Sequence, residues 1–133
     1  MSERILLIDD DVDDQLIFQE IMQEISSGIE CFTAGNGLQG LGLLDEMQPP
    51  PAIIFLDLNM PLVNGWEFLE RLKKNDKMSQ IPVIIMTTSD DKIDKKRAVD
   101  HGARTFLTKT ANLTLLRQSI RDVLKAAAIG HTM

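Results

Sequence analysis

The sequence predicts an α/β fold built on a doubly wound parallel sheet of five strands with five helices. Short, uninterrupted apolar runs at Ile5–Ile8, Ile53–Leu56 and Val83–Met86 are typical of strands buried on both faces of a parallel sheet. Stretches with helical spacing separate these runs, so strand and helix alternate along the chain. Two weaker strands, around Ile29–Thr33 and Thr105–Leu107, complete the pattern.

Each helix is predicted from apolar residues at helical spacing and from a polar residue that can cap its start. The apolar sets are Ile17, Ile21 and Ile25; Leu38, Leu41 and Leu44; Phe68, Leu69 and Leu72; and Leu113, Leu116 and Ile120 with Val123 or Leu124. The expected caps are Asp11, Asn36, Asn64, Ser89 or Asp90, and Asn112. The run of three prolines from Pro49 leads straight into the third strand and is interpreted as a loop.

Length and composition indicate one ordinary globular domain, since the chain has 133 residues of which 44% are hydrophobic. We expect this domain to occupy residues 1–133, with a core from about Arg4 to Ala127 and no output domain after the last helix. The net charge of −6 argues against nucleic acid as a direct partner. The basic group Lys92, Lys95, Lys96 and Arg97 is interspersed with aspartates and is interpreted as a solvated helix face.

The expected compartment is the cytoplasm. The single cysteine, Cys31, cannot form an internal disulfide, so the chain does not need an oxidising environment. No apolar stretch approaches the roughly 18 residues that a membrane span needs, and we expect no membrane insertion.

Acidic side chains follow two strands that should be neighbours in a doubly wound sheet. Asp9 and Asp10 come directly after the first strand, and Asp57 follows the third. Ligands of such sheets bind beyond the carboxyl ends of the strands, so these carboxylates should converge. Their mutual repulsion would be relieved by a hard divalent cation with oxygen ligands, for which Mg²⁺ fits best.

Two further strand ends supply groups that can neutralise a phosphoryl group. Thr87 follows the fourth strand and Lys109 the fifth. A carboxylate beside Mg²⁺ is a competent nucleophile for phosphoryl transfer, whose transition state chiefly needs positioned and neutralised oxygens. Lys109 would pair with one phosphoryl oxygen, the hydroxyl of Thr87 would donate to another, and the metal would hold the third.

The residues that carry this chemistry resemble those of the receiver domains of two-component signalling. The resemblance covers about Arg4 to Ala127 and rests on Ile5-Leu6-Leu7-Ile8-Asp9-Asp10, on Leu56-Asp57-Leu58-Asn59-Met60-Pro61 with Gly65, on Thr87, and on Lys109. It implies a flavodoxin-like sheet with strand order 2-1-3-4-5. It also implies a stand-alone response regulator that accepts a phosphoryl group on Asp57 from a histidine kinase or a histidine phosphotransfer protein.

The resemblance assigns the remaining site residues. It implies that Asp10, Asp57 and the backbone carbonyl of Asn59 bind Mg²⁺, with Asp9 acting through a metal-bound water. It also implies a switch in which Thr87 moves toward the phosphoryl group and an aromatic residue on the fifth strand, here Phe106, turns inward. The surface of the fourth helix, fifth strand and fifth helix would then change for a downstream protein target. Phe106 could equally be an ordinary core aromatic.

Thr110 departs from the family pattern, in which a proline linked by a cis bond usually follows the lysine. A cis bond to a non-proline residue costs about 3 kcal/mol. Either the surrounding contacts hold Lys109–Thr110 in the cis form, or the loop is trans and re-aims Lys109.

Other functions remain in competition with a phosphoacceptor that is not a turnover enzyme. A constitutive interaction module with the same fold would not need phosphorylation. A phosphatase with an aspartyl-phosphate intermediate would need a second acid where Asn59 stands. A flavin carrier of this fold would need a phosphate-binding loop after the first strand, where Asp9, Asp10 and Asp11 would repel the phosphate.

Overall fold

The computed structural model describes residues 3–58, 64–88 and 92–127. Strands and helices alternate in the predicted order. The strands are β1 (Glu3–Ile8), β2 (Ile29–Ala34), β3 (Ile53–Asp57), β4 (Val83–Thr87) and β5 (Thr105–Thr108). The helices are α1 (Val12–Ile25), α2 (Gly37–Glu46), α3 (Gly65–Lys73), α4 (Lys92–Asp100) and α5 (Leu113–Ala126). None of the helices in these described ranges is both long enough and apolar enough to cross a bilayer.

The five strands form one parallel sheet in the order β2-β1-β3-β4-β5, which confirms the predicted fold class and strand order. β1 and β3 are adjacent, with Ile5 opposite Ile53 and Ile8 opposite Leu56. Every residue of β3 and β4 is buried, so the side chains of these two central strands pack into a core on each face of the sheet. This two-sided burial explains why the central strands are apolar without alternation.

Alternate residues of the strands belong to two separate cores. One core contains side chains of α2, α3 and α4, including Leu44, Phe68 and Leu72, packed against Ile8 and Leu56. The other core contains side chains of α1 and α5; its buried members include Ile5, Leu7, Phe18, Ile21, Phe55, Ile84, Leu116, Ile120 and Leu124. Helices therefore cover both faces of the sheet, as a doubly wound fold requires.

Side-chain caps begin four of the helices, as predicted. The carboxylate of Asp11 accepts a hydrogen bond from the amide of Asp14, and the side chains of Asn36, Asn64 and Asn112 accept equivalent bonds at α2, α3 and α5. Each cap satisfies one of the amide groups that the first turn of a helix leaves unpaired. The predicted caps Ser89 and Asp90 lie outside the described residues.

Two details of the helices go beyond the predictions. Leu38, which helped to predict α2, is 55% exposed, whereas Leu44 of the same helix is buried. The predicted solvated face of α4 is found, since Lys92, Lys96 and Arg97 are exposed, but two of its basic residues also contact aromatic rings: Nζ of Lys95 lies 4.4 Å from the ring centroid of Phe106, and Cζ of Arg97 lies 4.2 Å from that of Trp66. Cations over aromatic faces are attracted by the ring quadrupole, so α4 contacts β5 and α3 through its charged side chains.

Candidate functional site

The carboxyl ends of four strands bring together the polar residues predicted to form the site. Asp9 follows β1 and Lys109 follows β5, whereas Asp57 and Thr87 are the last residues of β3 and β4. The sequence interpretation had placed Asp57 and Thr87 just beyond their strands. They belong to the strands because pairing continues by one residue, with Asp57 opposite Met86 and Thr87 opposite Thr108.

Asp9 is almost completely buried, with 1% of its surface exposed. Its Oδ1 accepts a hydrogen bond of 3.0 Å from the amide of Asp11, and its backbone amide donates to Ala34. Its buried Oδ2 accepts no well-oriented hydrogen bond from the described residues, although Nζ of Lys109 lies 2.8 Å away. A buried carboxylate oxygen without an aligned donor is costly unless a cation compensates it.

Three carboxylates form an acidic cluster at the junction of β1 and β3. Asp9, Asp10 and Asp57 each present an oxygen, and these oxygens lie within 4.8 Å of one another. Opposite ligands of one Mg²⁺ ion are about 4.2 Å apart, so the cluster needs little contraction to bind such a cation. The available oxygens, including the poorly satisfied Oδ2 of Asp9, fit a divalent metal with a preference for oxygen ligands.

The side chain of Lys109 reaches into this cluster from β5. Its Nζ lies 2.8 Å from Oδ2 of Asp9, 3.1 Å from Oδ2 of Asp14 and 3.3 Å from Oδ2 of Asp57. Burial lowers the pKa of Lys109, but the close approach to the carboxylate of Asp9 and the charges of Asp57 and Asp9 outweigh burial, so the pKa lies above its ordinary value. Lys109 is therefore a permanent positive charge beside Asp57.

The peptide bond between Lys109 and Thr110 is trans, since Gln48–Pro49 is the one cis bond within the described ranges. Of the two alternatives left by the sequence, the trans loop is the one found. The lysine nevertheless reaches Asp57, because its long side chain is directed by the surrounding carboxylates. Its backbone amide donates a hydrogen bond of 2.7 Å to the carbonyl of Thr87, which ties the ends of β4 and β5 together.

The structure places the two predicted switch residues on neighbouring strands. Thr87 is buried, with 4% of its surface exposed. Phe106 lies opposite Ile85 in the pairing of β4 with β5 and is half-buried, with Lys95 over its ring. Asn59, predicted to bind metal through its carbonyl, lies outside the described residues.

Sequence reasoning missed Asp14 as a member of this site. It considered only residues that directly follow strands, whereas Asp14 lies in the first turn of α1. The sequence did contain a signal, because Asp14 stands three residues after the predicted cap Asp11 and so faces the same end of the sheet. Its ion pair with Lys109 joins residues 95 positions apart.

This arrangement combines a buried carboxylate with charge neutralisation. Asp57 is buried, next to a fixed ammonium group and inside a cluster that fits a divalent cation. Such a site is suited to binding an anionic phosphoryl group at the carboxylate and to stabilising the charge that develops on its oxygens.

The chain matches the response regulator receiver domain family over residues 5–121. It belongs to this family. Among curated relatives of the receiver domain, PilH of Pseudomonas aeruginosa is 34% identical over 121 residues, which cover 91% of this chain and 97% of PilH. A probable transcriptional regulator, ycf29 of Pyropia yezoensis, is 35% identical over 137 residues, and the match covers 99% of this chain but 60% of that protein.

Solved structures resemble the receiver domain over nearly its whole length. The phosphorylated cyanobacterial phytochrome response regulator RcpA superposes with a TM-score of 0.88 at 26% identity, covering 99% of this chain and 98% of that one. The Mn²⁺-bound form of response regulator Rcp1 gives a TM-score of 0.79 at 30% identity over 92% of each chain. These similarities agree with a receiver fold whose acidic cluster is suited to a divalent cation.

Proposed function

We propose that this receiver domain accepts a phosphoryl group on Asp57 from a histidine kinase or a histidine phosphotransfer protein, in a reaction that depends on Mg²⁺. The observation that carries the proposal is the position of Asp57. Its buried carboxylate shares a cluster of oxygens within 4.8 Å with Asp9 and Asp10, and it lies 3.3 Å from Lys109. Family membership supports the donor class, since receiver domains take phosphoryl groups from histidine kinases.

In the proposed reaction, a carboxylate oxygen of Asp57 forms the new bond to phosphorus while the bond from phosphorus to the donor nitrogen breaks. Lys109 then neutralises a phosphoryl oxygen, and the hydroxyl of Thr87 donates to another. Asp9, Asp10 and Asp57, with the carbonyl of Asn59, are the groups that would hold Mg²⁺, Asp9 through a water. When bound, the ion supplies positive charge that stabilises the phosphoryl oxygens.

The signal is proposed to leave through the surface of α4, β5 and α5. Two contacts support this choice: the bond from the amide of Lys109 to Thr87, and the packing of Lys95 of α4 over Phe106 of β5. Movement of Thr87 toward a phosphoryl group and inward rotation of Phe106 would disturb both contacts. The downstream partner is expected to be a protein, because the net charge of −6 disfavours direct binding to nucleic acid.

We also propose that the sequence forms one receiver domain that works as a phosphoacceptor and not as a turnover enzyme. A single sheet and the helices that cover it extend from Glu3 to Ala126. The cytoplasm is the proposed compartment, in keeping with a histidine kinase donor and with the single cysteine.

Intact-mass analysis after incubation with Mg²⁺ and acetyl phosphate tests the proposal. The wild type is expected to gain one phosphoryl adduct, and neither Asp57→Asn nor a sample treated with a metal chelator should gain it. The asparagine variant keeps the size of the side chain but removes the nucleophilic charge. A folded wild type that binds Mg²⁺ but stays unlabelled by acetyl phosphate and by phosphorylated donor proteins would contradict the proposal. A wild type that does not bind Mg²⁺ would favour a constitutive interaction module.

A further inference from the structure

Among the described residues, Asp14 is the one carboxylate in contact with Lys109 that lies outside the acidic cluster. Its Oδ2 is 3.1 Å from Nζ of Lys109, and the other two partners of that ammonium group are Asp9 and Asp57. A lysine ammonium group has three N–H donors. Three carboxylates can therefore engage all three donors. One donor of Lys109 is then directed to Asp14 and not to a carboxylate of the acidic cluster.

The position of Asp14 is fixed by the helix and not by the cluster. Its backbone amide donates a hydrogen bond of 3.0 Å to the side chain of Asp11, which caps α1. A cation bound by Asp9, Asp10 and Asp57 would compete with Lys109 for their oxygens. The cation would not displace Asp14, so Lys109 can keep its ion pair with Asp14 while a cation is bound to the cluster.

The surroundings strengthen this ion pair. Asp14 and Lys109 border a cavity of about 490 Å³ between α1 and α5. The other residues that line it are mostly apolar, and they include Ile17, Phe18, Met86, Leu113 and Leu116. The side chain of Lys109 is 16% exposed and that of Asp14 is 43% exposed, so solvent screens this pair less than it screens two charges on an open surface.

The loop after β5 does not by itself fix the position of the ammonium group of Lys109. The Lys109–Thr110 bond is trans, and the backbone hydrogen bond to Thr87 fixes only the start of a side chain with four rotatable carbons. The ammonium group must therefore be held by contacts at its own end. Among the described residues those contacts come from Asp9, Asp14 and Asp57.

We propose that Asp14 is a positioning residue, which holds the ammonium group of Lys109 beside Asp57 while the phosphoryl group is transferred. This inference rests on the function proposed above, because Lys109 must remain near a phosphoryl oxygen for the role to matter. Asp14 does not touch the phosphoryl group and acts through Lys109.

Three variants separate the contact of Asp14 from its charge. Asp14→Asn removes the charge at constant size, Asp14→Glu restores it, and Asp13→Asn removes an equal charge at the neighbouring exposed position, which does not contact Lys109. With Mg²⁺ and acetyl phosphate, the rate constant for labelling Asp57 should fall roughly tenfold in Asp14→Asn, within the ~100-fold effect that misplacing a group by about 1 Å can have. Asp13→Asn should change it less than about twofold, and Asp14→Glu should recover most of the loss.

A second readout does not involve phosphorylation. In Asp14→Asn, the carboxylate partners of Lys109 within the described ranges are reduced to Asp9 and Asp57, so Lys109 competes harder with a cation for their oxygens. The dissociation constant for Mg²⁺ should therefore rise more in Asp14→Asn than in Asp13→Asn, by roughly threefold or more. In a Lys109→Ala background this difference between the two asparagine variants should disappear.

The outcomes distinguish the inference from the function on which it rests. If wild type is labelled and Asp14→Asn behaves like Asp13→Asn in both assays, Asp14 has no positioning role. The same conclusion follows if Asp14→Asn has an equal effect with and without Lys109. If wild type accepts no phosphoryl group from any donor, the proposed function itself fails. Thermal unfolding controls for folding, and the 43% exposure of the Asp14 side chain makes a collapse of the fold unexpected.

Discussion

The ammonium group of Lys95 lies 4.4 Å from the ring centroid of Phe106, so a helix and a strand of the proposed signalling surface are joined by a cation over an aromatic face. The contact links α4 to β5 without a hydrogen bond to the ring. It is therefore sensitive both to the charge of Lys95 and to the rotamer of Phe106.

Replacing Lys95 by methionine should weaken this link. The substitution keeps the apolar stem of the side chain and removes the charge, so the free energy of unfolding should fall by about 0.5–1 kcal/mol. Lys96→Met is the matched control, because Lys96 is exposed on the same helix. Urea denaturation of both variants measures the difference, and equal midpoints would show that the contact with Phe106 contributes nothing.

Gly65 should tolerate no side chain. A Cβ atom added there would lie 2.7 Å from Cα of Leu58 and 2.8 Å from the carbonyl oxygen of Asp57, both of them backbone atoms. Gly65→Ala must therefore push the start of α3 away from the acceptor strand, and we expect it to lower the free energy of unfolding by about 1–3 kcal/mol.

Gly42→Ala, in contrast to Gly65→Ala, should stabilise the protein. Gly42 lies inside α2, and a Cβ atom there would meet nothing within 4 Å. Alanine is the better helix former, so stability should rise by up to about 1 kcal/mol. Denaturant unfolding of the two alanine variants side by side tests both expectations. A gain of stability in each would mean that helix propensity, and not the close approach to the backbone of Asp57 and Leu58, decides the result, whereas a loss in Gly42→Ala would contradict the expectation for Gly42.

Asp10→Asn should affect the free and metal-bound forms in opposite directions. The exposed Asp10 belongs to the cluster but not to the ion pairs of Lys109, so neutralising it relieves repulsion in the absence of metal. The thermal midpoint in a chelator should therefore rise. The stabilisation by Mg²⁺ should shrink, since a ligand is lost and affinity falls by roughly tenfold or more. Asp13→Asn, outside the cluster, should leave the metal-dependent shift nearly unchanged.

Cys31 should make stability decline in alkaline solution. Burial in β2 raises the pKa of its thiol to about 12, whereas an unfolded thiol has a pKa of about 8.5. The native state thus keeps a proton that the unfolded state loses, so the contribution is complete below about pH 8.5 and is lost as the pH rises toward 12. At pH 10 the loss should reach at most about 2 kcal/mol.

Other groups also titrate in this range, so the effect of Cys31 must be isolated by difference. The unfolding free energies of wild type and Cys31→Ala are compared at pH 7.5 and at pH 10. The difference in unfolding free energy, wild type minus Cys31→Ala, should become smaller at the higher pH. A difference that stays constant would show that the thiol titrates alike in both states.

The sequence was sufficient for the fold and for most of the candidate site. Buried parallel strands need apolar residues on both faces, so the runs ending before Asp9, Asp57 and Thr87 marked the strand ends to within one residue. Parallel strands end at one edge of the sheet, and the convergence of Asp9, Asp10 and Asp57 followed from topology alone.

The missed features depend on side-chain reach and not on strand position. Asp14 enters the site through its ion pair with Lys109, which is 95 residues away. Its spacing from Asp11 indicates which end of the sheet it faces but does not show that it meets Lys109. The same limit applies to Lys95 and Arg97. Their charge pattern indicates the solvated helix face, but it does not show that their side chains lie over the rings of Phe106 and Trp66. Helical spacing likewise predicts α2 from Leu38 but does not show that Leu38 is exposed.

The hydrogen bond of 2.7 Å from the amide of Lys109 to the carbonyl of Thr87 joins the backbones of two residues proposed to contact the phosphoryl group. Neither backbone can shift far without stretching that bond. Any separation of these two strand ends would expose a single amide hydrogen to solvent, so its rate of exchange with deuterium would record how often the two ends part.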